Sequence, residues 1–563
     1  MEYRGYDSAG IATLSMRGIQ LRKGVGRVSQ VNALLHMDEL NGDVGVGHTR
    51  WATHGGVTEA NAHPHLSNSG QIALVHNGIV GNYLELKEEL GRAGYTFSSQ
   101  TDTEVIVNLL QQNLEETREV KAAVMRTVAK LSGSYSFAAL FPDGTLVAAR
   151  LHEPLIIGIG GDGFLVASDV LGFVEQADRV IYVRNREIVS MKDGKLQIYD
   201  FDGNPVQHEL VRVANEIADA DKGEYVHYTL KEIFEQPRTI LKTAEKTASQ
   251  VADAVEIMRG AKTLYITGSG SSFNAALAGK YLFSKYGGMN VEAIIASEAK
   301  LWPARLDGDS VMIAISQSGE TADVIEAAGW AKDMGARIIS IVNRTNSSLG
   351  QMSSLTIGLG CGPEIGVAAT KSFTSQLVVL YEIAELLSGG AIKPRFEDIS
   401  ALMSEELADQ SEVEALAQKL KGVTDIYILG MGVHSSIAAE ASLKIKELAY
   451  IHAEALAGGE LKHGPLALLD PESYVVILNP SDYTYSNVMV GAHEVKARGA
   501  KVIGVSDVPS DVYDYWIRIP STDREMFPLV ELIPMQLLSY HLAVNKNANP
   551  DYPRNLAKSV TVK

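Results

Sequence analysis

A single cysteine, Cys361, stands in a chain of 563 residues. That excludes an intrachain disulfide and any cysteine-built metal cluster, and it agrees with a reducing compartment. Also missing is a long uncharged apolar run of bilayer length, and the opening residues lack the basic-then-apolar pattern of a signal peptide, so a cytoplasmic protein is expected. Positive charge is scarce. Fifty Lys and Arg against 68 Asp and Glu leave a formal net charge of −18, which argues against nucleic acid or an anionic membrane as partner, because both need a basic surface. An anionic substrate would have to be held by a local site. No Walker A signature occurs, so ATP chemistry has no support. What is present is ordinary for a globular protein: 46% hydrophobic and 21% charged residues. The length exceeds one hydrophobic core and predicts two to four domains.

The second half of the chain repeats itself. TLYITGSGSSFNAAL (263–277) and DIYILGMGVHSSIAAE (425–440) each run from an apolar strand through G-x-G into an Ala-rich helix. Downstream, VMIAI (311–315) is echoed by VVIL (475–478), and GARIISIV (335–342) by GAKVIGVS (499–506), in nearly constant register. Strands alternating with helices predict parallel sheets covered on both faces, with ligands at the carboxyl ends of the strands. Two similar α/β domains are expected at 254–393 and 417–553, followed by a tail at 554–563. The first part reads differently: short, turn-separated β segments with helices near 83–93 and 103–114 predict an α+β domain over 1–192. A linker is expected at 193–253.

Three kinds of site carry chemistry. GSGSS (268–272) and SQSGET (316–321) place hydroxyls and free backbone N–H groups at helix starts, where an anion such as a phosphate monoester is favoured. Simple helix caps are the alternative. The second copy has NPSDYT (479–484) in place of SQSGET, so the fold does not need the hydroxyl clasp. A dinucleotide site is a poor competitor, because Phe273 occupies the third glycine position of G-x-G-x-x-G. Second, Glu440, Lys444 and Glu447 share one face of a helix. A solvated ion-pair face and a proton-shuttling acid–base pair are both open readings. Close by, His463 lies in GGELKHGPLALLD. Third, Lys558 in the terminal YPRNLAKSVTVK could form a Schiff base with a ketose carbonyl if a pocket receives it.

Ten motifs resemble one family along the whole chain: YRGYDSAG, HTRWATHG, NAHPH, HNGIV, TDTE, SQSGETAD, PEIGVAATKSFTSQL, SLKIKELAYIHAEA, GGELKHGPLAL and PRNLAKSVTV. The family is the isomerising glutamine:fructose-6-phosphate aminotransferases. The resemblance implies an N-terminal-nucleophile type glutaminase domain and two sugar-isomerase (SIS) domains. Their joint activity would be conversion of fructose 6-phosphate to glucosamine 6-phosphate with ammonia taken from L-glutamine and passed through an internal channel. It places glutamine contacts on Arg50, Thr53, His54, Gly78 and Asp102, the oxyanion hole on Asn77 and Gly78, and the ammonia gate on Trp51. Sugar-phosphate contacts fall on Ser271, Ser272, Ser316, Gln317, Ser318 and Thr321, with Val367 lining the pocket. Glu447 would move the proton between C1 and C2 with help from Lys444, Lys558 would form the Schiff base, and His463 would open the ring from the neighbouring subunit of a homodimer. No metal and no organic cofactor is implied.

The sequence departs from the family at its start. The family's nucleophile is an N-terminal cysteine, whereas Met1 here corresponds to an internal position just before YRGYDSAG. Cys361 cannot substitute, because it precedes PEIGVAA in the first isomerase domain. The expectation is a reading frame that begins upstream of Met1, since the glutamine-holding residues persist; the competing reading is a protein without glutaminase activity. Ser269 stands where relatives can have cysteine, and Ala369 where serine is common, which bears on sugar affinity. The alternatives to the aminotransferase are a sugar-phosphate isomerase or ammonia-dependent deglycase, and a sugar-phosphate-binding regulator. The joint presence of Glu447, Lys444, His463 and Lys558 favours catalysis, because a binder needs no acid, base and amine.

Overall fold

The structure is a computed structural model that describes residues 5–51, 55–161, 163–173, 176–177, 179–212, 222–302 and 305–560, with Leu171 described by its backbone only. The chain divides into two compact units, Met1–Asp219 with Ser559–Lys563, and Ala220–Lys558.

The first unit is α+β. Its largest sheet has six antiparallel strands in the order Lys195–Asp200, Glu187–Lys192, Leu146–Leu151, Gly133–Leu140, Ala73–Val80 and His65–Leu66. A three-stranded sheet is centred on Ser8–Ser15, between Gly18–Val25 and Val44–Arg50. The helices Tyr83–Arg92, Thr103–Thr117 and Val120–Lys130 bury Leu86, Leu90, Ile106, Leu110 and Val124 in one apolar cluster with Tyr135 and Phe137 of the large sheet. The expected boundary at residue 192 cuts a hairpin: Glu187–Lys192 pairs antiparallel with Lys195–Asp200. Asp193 and Gly194 both have positive φ, +49° and +71°, the two-residue geometry that suits the twist of a hairpin.

The second unit holds two parallel five-stranded sheets of the same topology. In the first, the strand order is Val291–Ile295, Thr263–Gly268, Ser310–Ser316, Arg337–Val342, Leu355–Gly358. In the second it is His452–Ala457, Asp425–Gly430, Tyr474–Leu478, Lys501–Ser506, Tyr515–Arg518. Each is the doubly wound order 2-1-3-4-5, whose switch point lies between the first and third strands and opens a crevice at their carboxyl ends. Gly268–Ser272 and Ser316–Thr321 leave those two strand ends in the first copy. Gly270 and its counterpart Gly432 both have positive φ, +55° and +63°.

The helix Gln236–Arg259, placed in the expected linker up to residue 253, is part of this unit. It packs against Lys371–Leu387 and buries Ile240, Val251, Val255 and Met258. The apolar face, repeating at helical spacing, drives it into the core rather than leaving it as a connector. The stretch Phe527–Asn545 is long and apolar enough by length and composition to cross a membrane, but most of its apolar window is buried inside the fold, where Leu529, Ile533 and Leu538 join the core.

Candidate active site

Two helices from different copies make the centre of the site. Ser271–Lys285 starts at the first G-x-G turn, and His434–Ala449 starts at the second; the two pack together. Glu440, Lys444 and Glu447 lie on the face of the second helix turned to the first. Lys444 Nζ reaches Glu447 Oε2 at 2.6 Å, Glu440 Oε1 at 3.4 Å and Ser271 Oγ at 3.1 Å. Ser271 donates in turn to Glu440 Oε1, and Asn274 to Glu440 Oε2, both at 2.8 Å. The solvated-face reading fails, because Glu440 and Lys444 are 0% and 1% exposed in their side chains while Glu447 keeps 21%. Burial opposes the charge on Lys444, but Glu447 and Glu440 outweigh it and raise its pKa. Burial raises the Glu440 carboxyl. Of the two carboxyl groups, Glu447 is thus the one left open to solvent, with the Lys444 ammonium held against it.

The hydroxyl loop is built at the third strand's end. Ser316 Oγ lies 2.9 Å from Thr321 Oγ1 and accepts from the Gly319 N–H at 3.0 Å, while Ser318 Oγ accepts from the Glu320 N–H. Gln317 turns its carbonyl to the Asn343 N–H. Thr321 opens the helix Ala322–Asp333. Ser272, on the neighbouring turn, is buried and accepts from Gln376. These side chains gather hydroxyls and a helix N-terminus around one crevice, a setting for a phosphate. The second copy fills its crevice from within. His434, in the place of Ser272, pairs with Glu531 at 2.8 Å and Asp482 at 3.1 Å, all three side chains at 0% exposure. Burial pushes against its charge, but the two carboxylates hold the imidazole up at about 9.

Lys558 enters the site from the tail. Its Nζ donates to Glu364 Oε2 at 2.6 Å and to the Gly366 carbonyl at 2.7 Å, and its side chain is 8% exposed. Glu364 also accepts from Ser372 Oγ at 2.7 Å and from the Thr370 and Ser372 N–H groups at the start of the helix Lys371–Leu387. Burial alone would raise this carboxyl; Lys558 and the amides win, and hold it at about 2. The Glu364 charge also reaches Lys444, which ties the amine to the acid–base helix. Val367 follows directly and bonds its N–H to the Asp551 carbonyl. Glu364 escaped the motif reading: its role shows only once the tail folds back. His463 lies elsewhere, exposed at the end of the turn Gly458–His463, and none of the hydrogen bonds of the cluster reaches it.

In the front unit, Arg50 ends the strand Val44–Arg50 and is buried; its guanidinium donates to the carbonyls of Gly55 and Gly56. Asp102, 5% exposed at the start of Thr103–Thr117, accepts from the Val80 N–H at 2.8 Å and acts electrostatically on Arg50. Asn77 and Gly78 lie in the strand Ala73–Val80. Gly78 has φ +105°, and a side chain there would meet the Ser134 carbonyl at 2.1 Å. Asn77 Oδ1 is bonded to His48 Nε2 at 2.9 Å, which leaves the amide –NH₂ as the end turned elsewhere. His48 stacks on His63, which meets His65 edge-on. Trp51 is half-buried beside this strand end. Thr53 and His54 lie outside the described residues. Cys361 is buried, and burial pushes its thiol up to about 12.

Models of two domain families match this chain: the SIS domain over residues 257–386 and 419–546, and a glutamine amidotransferase domain over 48–175. The chain is similar in full to glutamine–fructose-6-phosphate aminotransferase (isomerizing) of Methanothermobacter thermautotrophicus, 41% identical over 569 residues with 96% of that protein covered. The namesake from Pyrococcus horikoshii is 41% identical over 574 residues, again with 96% covered. Among solved structures, the C-terminal domain of glucosamine-fructose-6-phosphate aminotransferase from Francisella tularensis superposes with a TM-score of 0.56 at 33% identity, over 59% of this chain and 100% of that one. With that identity held across its whole length, the chain belongs to the isomerizing glutamine–fructose-6-phosphate aminotransferase family.

Proposed function

We propose that this protein converts fructose 6-phosphate to glucosamine 6-phosphate with ammonia released from L-glutamine. The observation that carries the reading is that Lys444 bonds both Glu447 and Ser271 of the first copy's hydroxyl turn, while in the same unit the buried amine of Lys558 is held on Glu364, whose charge acts on Lys444.

The sugar's phosphate is bound by Ser271, Ser272, Ser316, Gln317, Ser318 and Thr321, with Val367 against the carbon chain. Lys558 condenses with the C2 carbonyl and releases water; ammonia then displaces the lysine and leaves an imine at C2. Glu447 takes a proton from C1 and returns it to C2, so that the imine becomes an amine and C1 an aldehyde. Lys444 holds the Glu447 carboxylate in place before the first transfer and receives it again after the second. His463 opens the sugar ring from a neighbouring subunit, so the active form is a homodimer, working in the cytoplasm. In the front unit, Arg50 and Asp102 hold the charged ends of glutamine, with Thr53 and His54 contributing further contacts, while Asn77 and the Gly78 N–H receive the tetrahedral oxyanion and Trp51 gates the ammonia. Cys361, buried in the isomerase half beside Glu364, is unsuited to be the glutaminase nucleophile.

The test is glucosamine 6-phosphate formation from fructose 6-phosphate with glutamine or with ammonium as nitrogen source. Product in the ammonium arm that disappears in K558R and E447Q supports the isomerase assignments. Product that persists in both variants contradicts them. The glutamine arm reports the front unit separately.

A further inference from the structure

The Lys558 amine has two acceptors, and only one is a side chain. The other, the Gly366 carbonyl, points where its flanking peptides put it, because each peptide is planar. Both flanking peptides are held. On the side before Gly366, Glu232 Oε1 accepts the N–H groups of Ile365 and Gly366. On the side after, the N–H of Val367 donates to the Asp551 carbonyl at 3.2 Å. Glu232 belongs to the helix Tyr228–Phe234, which touches the loop at backbone distance: a Cβ on Gly366 would stand 2.8 Å from Glu232 Oε2 and 2.8 Å from Thr229 Oγ1. Asp551 closes on the start of the same helix, accepting from the Tyr228 N–H at 2.9 Å and the Thr229 N–H at 2.8 Å. Loop, tail and helix therefore form one hydrogen-bonded ring around the seat of the amine.

Glu232 is 2% exposed, and its Oε2 is buried with no hydrogen-bond partner among the described residues. Burial, seconded by the charge of Glu364, pushes its carboxyl up to about 8. Two carboxyl groups thus bind one loop in opposite states: Glu364, within the loop, ionised against the lysine, and Glu232, from the helix Tyr228–Phe234, neutral and used as a backbone acceptor.

We propose that Glu232 is a positioning residue for Lys558: by holding the Ile365 and Gly366 amides it sets the Gly366 carbonyl, and so the place from which the amine meets a ketose carbonyl. The inference rests on the reading of Lys558 as the imine-forming amine. With fructose 6-phosphate and sodium cyanoborohydride, the amine and the ketone lose water to form an imine, and hydride reduces it to a secondary amine that mass spectrometry locates on Lys558. In the full chain, E232Q keeps the acceptor and labels within about twofold of wild type, whereas E232D, one methylene short, labels about tenfold or more slowly with KM for fructose 6-phosphate unchanged. Wild-type labelling in E232D, equal slowing in E232Q, or a KM that rises with the slowing overturns the positioning role. No label on Lys558 in the wild-type chain overturns the imine reading itself.

Discussion

Ser271 and Glu440 stand in different copies of the duplicated domain, yet the Ser271 hydroxyl donates to Glu440 Oε1 at 2.8 Å while accepting from Lys444 at 3.1 Å. The serine therefore has two duties. It belongs to the first G-x-G turn, where the proposed reading seats the sugar phosphate, and it joins that turn to the helix of Glu440, Lys444 and Glu447.

Removing this hydroxyl should do more than weaken sugar binding. In S271A, Glu440 and Lys444 each lose a buried partner, which costs about 1–3 kcal/mol. The account expects KM for fructose 6-phosphate to rise and kcat to fall together. Steady-state kinetics with ammonium as donor checks this; a change in KM alone would assign Ser271 to phosphate binding only.

Glu447 and Glu440 flank the same lysine but should behave differently. On the proposed assignment E447Q loses the group that moves the proton, so turnover should fall by about 10²- to 10⁴-fold while KM stays near wild type. E440Q keeps one acceptor oxygen, for Ser271 or for Asn274 but not both, and loses part of the support for the Lys444 charge; since it leaves Glu447 in place, the expected loss of turnover is smaller. Equal losses in the two variants would contradict the division of roles.

Glu364 makes stability depend on acid. Its folded pKa, about 2, lies below the ordinary carboxylate value, so the stabilisation is fully present above about pH 4.5 and is lost as pH falls towards 2. Its size is about 3 kcal/mol for this fully buried side chain. Chemical denaturation between pH 6 and pH 3 should show the slope in wild type, and E364Q should flatten it.

His434 gives the opposite sign. Its folded pKa is raised to about 9 by Glu531 and Asp482 acting against burial, so its contribution is complete below about pH 6.5 and is lost as pH rises through 9. Replacing it leaves two buried carboxylates uncompensated, at about 3–5 kcal/mol. H434Q should be less stable at pH 7 and should lose the alkaline decline; the front unit, followed by hydrogen exchange, should be unaffected.

In the front unit the histidines push the other way again. Burial lowers His48 to about 4 and holds His63 and His65 well below the ordinary value. Stability from keeping them neutral is complete above about pH 6.5 and is lost as pH falls towards 4. Protection of the strand Ala73–Val80 from hydrogen exchange should drop over that window before the isomerase unit loosens.

The fold class was legible because the signals were local and doubled: the G-x-G turns and their flanking strands recur at 263–277 and 425–440. The Lys444–Glu447 contact was legible too, since a three-residue spacing on a helix fixes it. The partnership of Ser271 with Glu440 was not, because it depends on how two helices pack across 169 positions of sequence. Glu364 and Glu232 were missed for the same reason, their meaning coming from a tail and a loop that meet only in the folded chain. The expected edge at residue 192 falls inside a hairpin that shows only in the folded chain, where Glu187–Lys192 pairs with Lys195–Asp200.

The most direct test follows hydrogen rather than nitrogen. Fructose 6-phosphate is incubated with ammonium and the full chain in D₂O, and the glucosamine 6-phosphate is examined for deuterium at C2. The account predicts product whose C2 hydrogen comes from C1 or solvent through one carboxylate, with formation and exchange lost together in E447Q. Deuterium entry at an undiminished rate in E447Q would show that another group moves the proton and would contradict the site as described.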